Sequence, residues 1–293
     1  MRTLLIIGFG DVARRAVPAL AKRWRILALV RSRAAADACR ALGVLPVLGD
    51  LDDAIPLSRL AGLADAVLYT APPPASGRDD PRPRKLLSAL AKTQSIPQCW
   101  VYISTTGVYG NRDGAWVDET ARPAPLSDRA ARRVSAECTL RAGAQRLGFT
   151  LSILRAPGIY AADRLPLTRL ESGMPLIRAD EDSVSNHIHA DDLAALCVAA
   201  LERRHGIRVY NACDDEPLAM GDWFDLLADR LGRPRLPRLP RSKVQPLVSP
   251  ALWSYLVESR RIANGRIKRE LKARLVYPSV RAFLAAQTVS LPV

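Results

Sequence analysis

The 293 residues, 48% hydrophobic and 25% charged, suffice for one large domain or a main domain with a smaller lobe, in the proportions of an ordinary globular protein. No uninterrupted apolar run approaches the roughly 18 residues that span a bilayer, and the run at 1–8 enters a glycine turn too soon for a signal peptide, so a cytoplasmic protein with no membrane partner is expected. The net charge of +14 invites a nucleic-acid partner, but none is expected: Lys occurs only at 22, 85, 92, 243, 268 and 272, the arginines are spread along the chain, and aromatic residues do not interleave with them.

In chain order, residues 3–7, 26–30, 46–48, 66–69, 99–104 and 150–154 read as strands, β-rich or continuously apolar as buried parallel strands are. Helical stretches at 12–23, 34–42, 84–92 and 129–147 alternate with them. A helix at 191–203 leads to a further strand at 209–211. This alternation predicts an α/β doubly wound parallel sheet with right-handed crossovers. Residues 72–83, rich in proline, read as a loop after the fourth strand. Residues 233–250 alternate Arg, Leu and Pro and cannot form a continuous helix; a connector is expected there rather than a basic patch. Residues 251–274 read as helical and close a small C-terminal lobe. Cys39, Cys99, Cys138, Cys197 and Cys213 are scattered without Cys-x-x-Cys spacing, which points to free buried thiols and to no metal.

Gly8-Phe9-Gly10-Asp11-Val12-Ala13 follows the first strand and opens the first helix. In that context the G-x-G-x-x-A pattern predicts a Rossmann dinucleotide site: Gly8 for the tight turn, Gly10 for close approach of the pyrophosphate, Ala13 for helix–sheet packing, and the helix N-terminus for the phosphates. A purely structural turn is the bland alternative. At the end of the second strand, where an acid would bind the ribose of NAD, stand Arg31, Ser32 and Arg33, with no acid until Asp37. Arg and Ser suit a 2′-phosphate, so NADP(H) is preferred over NAD(H), although solvated turn residues would look the same. Asp50 and Leu51 after the third strand, Thr70 and Ala71 after the fourth, and Pro157 after the sixth complete the expected cofactor contacts. Asp50 reads equally well as a helix cap.

Several ordered landmarks resemble the extended short-chain dehydrogenase/reductase superfamily, the NAD-dependent epimerase/dehydratase family, and its atypical members most closely. They are Ser104-Thr105-Thr106-Gly107-Val108-Tyr109-Gly110, Val117-Asp118-Glu119-Thr120, Leu154-Arg155-Ala156-Pro157-Gly158-Ile159-Tyr160, Asn186-His187-Ile188-His189-Ala190-Asp191-Asp192-Leu193-Ala194, Tyr210-Asn211-Ala212-Cys213-Asp214-Asp215-Glu216-Pro217 and Tyr277-Pro278-Ser279. The resemblance implies a dinucleotide-binding domain over 1–160, continued by 183–213, with a smaller substrate lobe from 161–182 and 214–293. It further implies a small-molecule substrate and a homodimer through helices such as 84–92 and 129–147. It places the substrate-holding hydroxyl on Thr105, beside Thr106, although Thr105 could merely bond backbone at the strand end. It places the family's catalytic tyrosine and lysine on Arg129 and Arg133. Arginine stays protonated near neutrality and cannot serve as acid or base.

Three explanations stand side by side. Tyr109 or Tyr160 supplies the proton, Arg129 and Arg133 grip an anionic substrate, or NADP(H) is bound without catalysis, as in a redox sensor or partner-binding protein. The expectation is an atypical NADP(H)-dependent oxidoreductase or epimerase acting on a small polar, sugar- or nucleotide-linked substrate. His187 and His189 share one face of an extended segment, but with no third histidine nearby and with Asp191 and Asp192 placed to cap a helix, they read as a structural join.

Overall fold

Strand β1 (Arg2–Ile7) sends Leu4 and Ile6 into one apolar layer and Leu5 and Ile7 into another, all four fully buried. A strand's side chains alternate, so a strand covered on both faces is apolar at every position. The computed structural model describes residues 1–53, 57–93, 95–203 and 206–286. Residues 54–56, 94 and 204–205 of the expected dinucleotide-binding portion and 287–293 of the expected lobe lie outside the described residues.

Around β1 stand β2 (Trp24–Val30), β3 (Leu45–Leu48), β4 (Ala66–Tyr69), β5 (Cys99–Thr105), β6 (Thr150–Ala156) and β7 (Ile207–Asn211), in the order β3-β2-β1-β4-β5-β6-β7 and parallel throughout. Every expected strand is present, and no end differs by more than two residues. This is the doubly wound Rossmann arrangement. Its order reverses between β1 and β4, so a crevice opens beyond their C-terminal ends.

Helices α1 (Asp11–Leu20) and α5 (Ala190–Glu202) cover one face; α3 (Arg82–Leu90) and α4 (Asp128–Leu147) cover the other. Local chemistry sets several helix ends. Ser32 caps α2 (Arg33–Ala41) by accepting from the Ala35 amide at 3.2 Å, and Ser127 caps α4 through the Ala130 amide at 3.3 Å. Helix α1 stops at Leu20, short of the expected 23, with Pro18 in its last turn removing an amide donor.

A third apolar cluster joins Tyr160 to residues of the segments expected in the smaller lobe, among them Leu170, Trp223, Phe224, Leu227 and Phe283. The proline-rich connector is ordered: Arg238–Leu239 pairs with Leu176–Ile177. Three of its four arginines are neutralised locally, Arg233 by Glu171, Arg235 by Asp229, and Arg238 by Asp222 and Asp225, while Arg241 donates to the Glu181 and Leu256 carbonyls. The helix expected over 251–274 is a correction. Only Pro250–Leu256 and Gly265–Glu270 are helical, and between them Arg261–Ile262 pairs with Trp116–Val117. The cause is tertiary: the Asn186 side-chain amide donates to the Arg260 carbonyl at 2.9 Å and accepts from the Ile262 amide at 2.9 Å, while Asn111 accepts from the Ser259 amide at 2.8 Å. These bonds hold the segment extended against its helical propensity.

Candidate active site

The crevice at the β1/β4 switch point is a cavity of about 510 Å³ lined by Gly8, Phe9, Gly10, Arg31, Ser32, Asp50, Leu51, Thr70, Ala71 and Arg82, among others. Gly8 has φ +91°, and a Cβ there would lie 2.7 Å from the backbone of Ala71. The two strand ends are stitched this tightly because the amides of Thr70 and Ala71 both donate to the Ile7 carbonyl at 2.9 Å and the Thr70 hydroxyl donates to the Gly8 carbonyl. Gly10 differs. It has ordinary φ −84°, it is exposed, and no protein atom lies within 4 Å of where its Cβ would be. Packing does not require glycine there, whereas close approach by a phosphate at the start of α1 does. The residues of this crevice therefore fit a dinucleotide.

Four expected contacts, Asp11, Val12, Arg33 and Pro157, do not line the crevice, and Pro157 lines the neighbouring cavity instead. The Asp11 carboxylate is held by Arg15 at 2.8 Å and by Arg164 at 2.9 Å, and Val12 is buried in the core. At the adenosine end, Arg31 and Ser32 line the cavity and Arg33 does not. Arg31 is exposed and has no carboxylate within ion-pairing distance among the described residues. Asp50 lines the cavity and accepts from the Asp52 amide at 3.0 Å in the turn that follows β3. Arg82 was not anticipated. It grips both Asp52 oxygens, at 2.9 and 2.6 Å, and the Pro72 carbonyl at 2.9 Å. No local motif marks it, because its partners come from the β3–β4 connection and the loop after β4.

A second cavity, of about 490 Å³, shares Pro72 and Pro73 with the first. The main domain contributes Thr105, Thr106, Arg129, Arg133 and Pro157, and the lobe contributes Met220, Tyr255, Glu258 and Arg260. Thr105 caps the turn after β5 by accepting from the Gly107 amide at 3.2 Å, which leaves its proton available to a ligand. Arg133 donates from one terminal nitrogen to the Ala71 carbonyl (3.3 Å), the Tyr102 hydroxyl (3.0 Å) and the Ile103 carbonyl (3.0 Å), fastening the ends of β4 and β5 where the cavities meet. The Arg129 guanidinium lies 3.8 Å from the centre of the Tyr255 ring.

Beneath Thr105 runs a buried polar chain. The Ser104 hydroxyl donates to Glu137 at 2.6 Å, and Glu137 pairs with Arg155 at 3.0 and 2.6 Å. Arg155 lies over the Tyr109 ring at 4.7 Å, and the Tyr109 hydroxyl donates to Asn211 at 2.7 Å.

Both phenols expected to move a proton are elsewhere. Tyr109 is 0% exposed and belongs to that chain, with burial raising its pKa. Tyr160 is buried in the lobe seam against His187, His189, Trp223 and Phe283; burial and the nearby Asp214 carboxylate push its phenol well above the ordinary range. Neither lines the second cavity. His187 does, but burial lowers its pKa to about 4, so it is neutral at pH 7; its Nδ1 has no partner among the described residues. His189 caps α5 by accepting from the Asp191 amide at 3.2 Å. Glu258, which sequence patterns did not single out, is paired with Arg260 at 2.8 Å.

A family profile described as NAD(P)H-binding matches residues 8–204. Over 297 residues, covering 94% of this chain and 88% of the relative, the sequence is 26% identical to the 4-hydroxy-2-methyl-3-oxo-4-farnesyl-3,4-dihydroquinoline-1-oxide ketoreductase of Stigmatella aurantiaca. Among solved structures, a conserved protein of unknown function from Silicibacter pomeroyi is 32% identical with TM-score 0.81, covering 98% of each chain. The dTDP-glucose 4,6-dehydratase of Streptomyces venezuelae, solved with NAD, is 23% identical with TM-score 0.77, covering 97% of this chain and 94% of that one. With its glycine turn at the switch point of a seven-stranded parallel sheet, the chain belongs to the NAD(P)H-binding family and has the Rossmann fold seen in epimerases and dehydratases.

Proposed function

We propose that the protein is an NADP(H)-dependent oxidoreductase that reduces a small polar carbonyl compound in the second cavity. One observation carries this: a crevice fitted to a dinucleotide opens, at Pro72 and Pro73, onto a second cavity lined by the hydroxyl-bearing Thr105 and Thr106. The ketoreductase among the relatives supports reduction of a ketone rather than epimerisation. NADPH, when bound, supplies the hydride.

The chain's own residues do the rest. The Gly8–Gly10 turn and the first amides of α1 hold the pyrophosphate. Arg31 and Ser32 hold the 2′-phosphate, Asp50 and Leu51 flank the adenine, and Pro157 packs near the nicotinamide. Thr105 and Thr106 donate to the carbonyl oxygen, where a hydrogen bond strengthens as negative charge develops. With Tyr109 and Tyr160 enclosed elsewhere, the proton that completes the alcohol comes from water.

Calorimetric titration with NADPH, NADP, NADH and NAD at matched salt tests the cofactor preference. NADP(H) binds more tightly, and Arg31→Ala weakens it roughly 10- to 100-fold while leaving NAD(H) unchanged, because a charge-assisted contact to phosphate is lost. Equal binding of the two cofactors would refute the preference. Consumption of NADPH with a panel of carbonyl compounds tests the reaction. Binding without turnover, as in a sensor or partner-binding protein, is the alternative; it is favoured by the enclosure of both candidate phenols, and a panel without any turnover would select it.

A further inference from the structure

We infer that the substrate carries an oxyanion, a carboxylate or a phosphate, next to the carbonyl that is reduced, and that Arg129 grips it. This rests on the oxidoreductase reading above and specifies its substrate class.

Three observations lead there. Arg129 lines the second cavity, yet among the described residues it makes no side-chain hydrogen bond and has no carboxylate within ion-pairing distance. Its planar face is covered by Tyr255, which comes from the lobe and is 49% exposed. A guanidinium stacked by its face keeps its N–H donors in the plane of the group, the geometry that takes a carboxylate or phosphate two-pronged. Finally, the cavity's charges do not balance. Arg164 is paired with Asp11, and the one carboxylate lining the cavity among the described residues, Glu258, is paired with Arg260. Among the described residues Arg129 has no carboxylate near it, whereas Arg133 has the Asp80 carboxylate nearby. Arg133 has one terminal nitrogen committed to two carbonyls and a hydroxyl, so it fixes the floor of the cavity. Among the described residues Arg129 is held only by stacking, and it has its donors to offer.

With Thr105 and Thr106 bonding the carbonyl oxygen and Arg129 the adjacent oxyanion, the substrate is held at two points and its reacting carbon is oriented. For a 2-oxo acid the balance is a two-electron reduction. Hydride adds to the carbonyl carbon, the π pair moves to oxygen, the oxygen takes a proton from water, a 2-hydroxy acid forms, and the nicotinamide cofactor is oxidised by two electrons. Arg129 gives up no proton, consistent with an arginine standing where the family has a tyrosine.

The test is calorimetric binding of unreactive probes to the NADP-saturated protein and to the protein alone: oxalate, its neutral diamide oxamide, and inorganic phosphate. Oxalate or phosphate binds at least roughly tenfold more tightly than oxamide, and whichever binds identifies the anion as carboxylate or phosphate. Arg129→Met removes that difference; Arg129→Lys, which keeps the charge and loses the fork, retains part of it. Should the variants fold poorly, the wild type answers by itself: the bound anion protects Arg129 from phenylglyoxal, read by peptide mapping. Anions binding no better than oxamide, or an unchanged Arg129→Met, would overturn the inference. If NADPH binds and only neutral carbonyls turn over, this inference falls and the oxidoreductase reading stands. If no dinucleotide binds, the oxidoreductase reading falls whatever the anion data show.

Discussion

The two cavities that meet at Pro72 and Pro73 are built in different ways. The cofactor crevice is made wholly from residues 7–82, most of them at the end of a strand or in the segment just after it, with Ala35 from α2 and Arg82 from the start of α3. The second cavity draws on residues 72–260 and takes a whole wall from the lobe. The first is therefore a property of the sheet: once β1 and β4 pair, Gly8, Thr70 and Ala71 have nowhere else to go. The second depends on how the lobe docks and on a buried polar chain that supports its floor.

That contrast can be broken at several points, beginning with the largest effect. Glu137 and Arg155 are each 3% exposed in their side chains. Arg155→Met strands the Glu137 carboxylate and lowers stability by about 3–5 kcal/mol, measured by urea unfolding. If the chain supports the second cavity, substrate turnover in the folded fraction drops while NADPH affinity is kept.

Next come the two glycines. Gly8→Ala sets a Cβ 2.7 Å from the Ala71 backbone at positive φ, and it lowers both stability, by about 2 kcal/mol, and NADPH affinity. Gly10→Ala meets no protein atom, so unfolding changes by no more than about 0.5 kcal/mol. NADPH affinity nevertheless falls at least roughly tenfold, because the methyl group occupies phosphate space. Equal NADPH affinity in Gly10→Ala and the wild type would remove the assignment of that turn.

The lobe seam behind the second cavity titrates. Burial raises the Asp214 pKa to about 8 from an ordinary 3.8, with Asp215, Glu216 and Asp192 adding to the shift against a backbone hydrogen bond. The folded state thus keeps a proton that the unfolded chain releases. Stability contributed by this group is present below pH 4 and is lost as pH rises toward 8. Asp214→Asn removes that loss. Its melting temperature equals that of the wild type near pH 4 and exceeds it increasingly toward pH 8; a constant difference across that range would contradict the assignment.

The smallest effects belong to the two displaced phenols. Tyr109→Phe loses its bond to Asn211 and about 1 kcal/mol of stability. Tyr160→Phe loses a hydroxyl with no hydrogen-bond partner among the described residues, so it leaves stability unchanged or raises it. Turnover in both variants stays within about twofold of wild type if neither phenol touches substrate. A large loss in either would return it to the chemistry.

By itself the sequence determined the sheet and the cofactor turn. Strand periodicity, cap residues and glycine spacing act over windows of a few residues, so all seven central strands and the fingerprint at 8–13 could be read directly. The landmarks that carry the resemblance lie in order along the chain, and from them comes the expectation that Arg129 and Arg133 stand at the family's tyrosine and lysine positions. Only the tertiary structure decided which side chains face the second cavity. Tyr109 and Tyr160 sit in motifs that suggest chemistry, yet one was drawn into the Arg155–Asn211 network and the other into an aromatic seam. Tyr255, Glu258 and Arg260 carry no motif, and the segment after Leu256 reads as helical. Asn186, more than seventy residues away, holds that segment extended and thereby brings Glu258 and Arg260 to the cavity wall. Local pattern records what a segment prefers; it holds no trace of a hydrogen bond across seventy residues that overrides the preference.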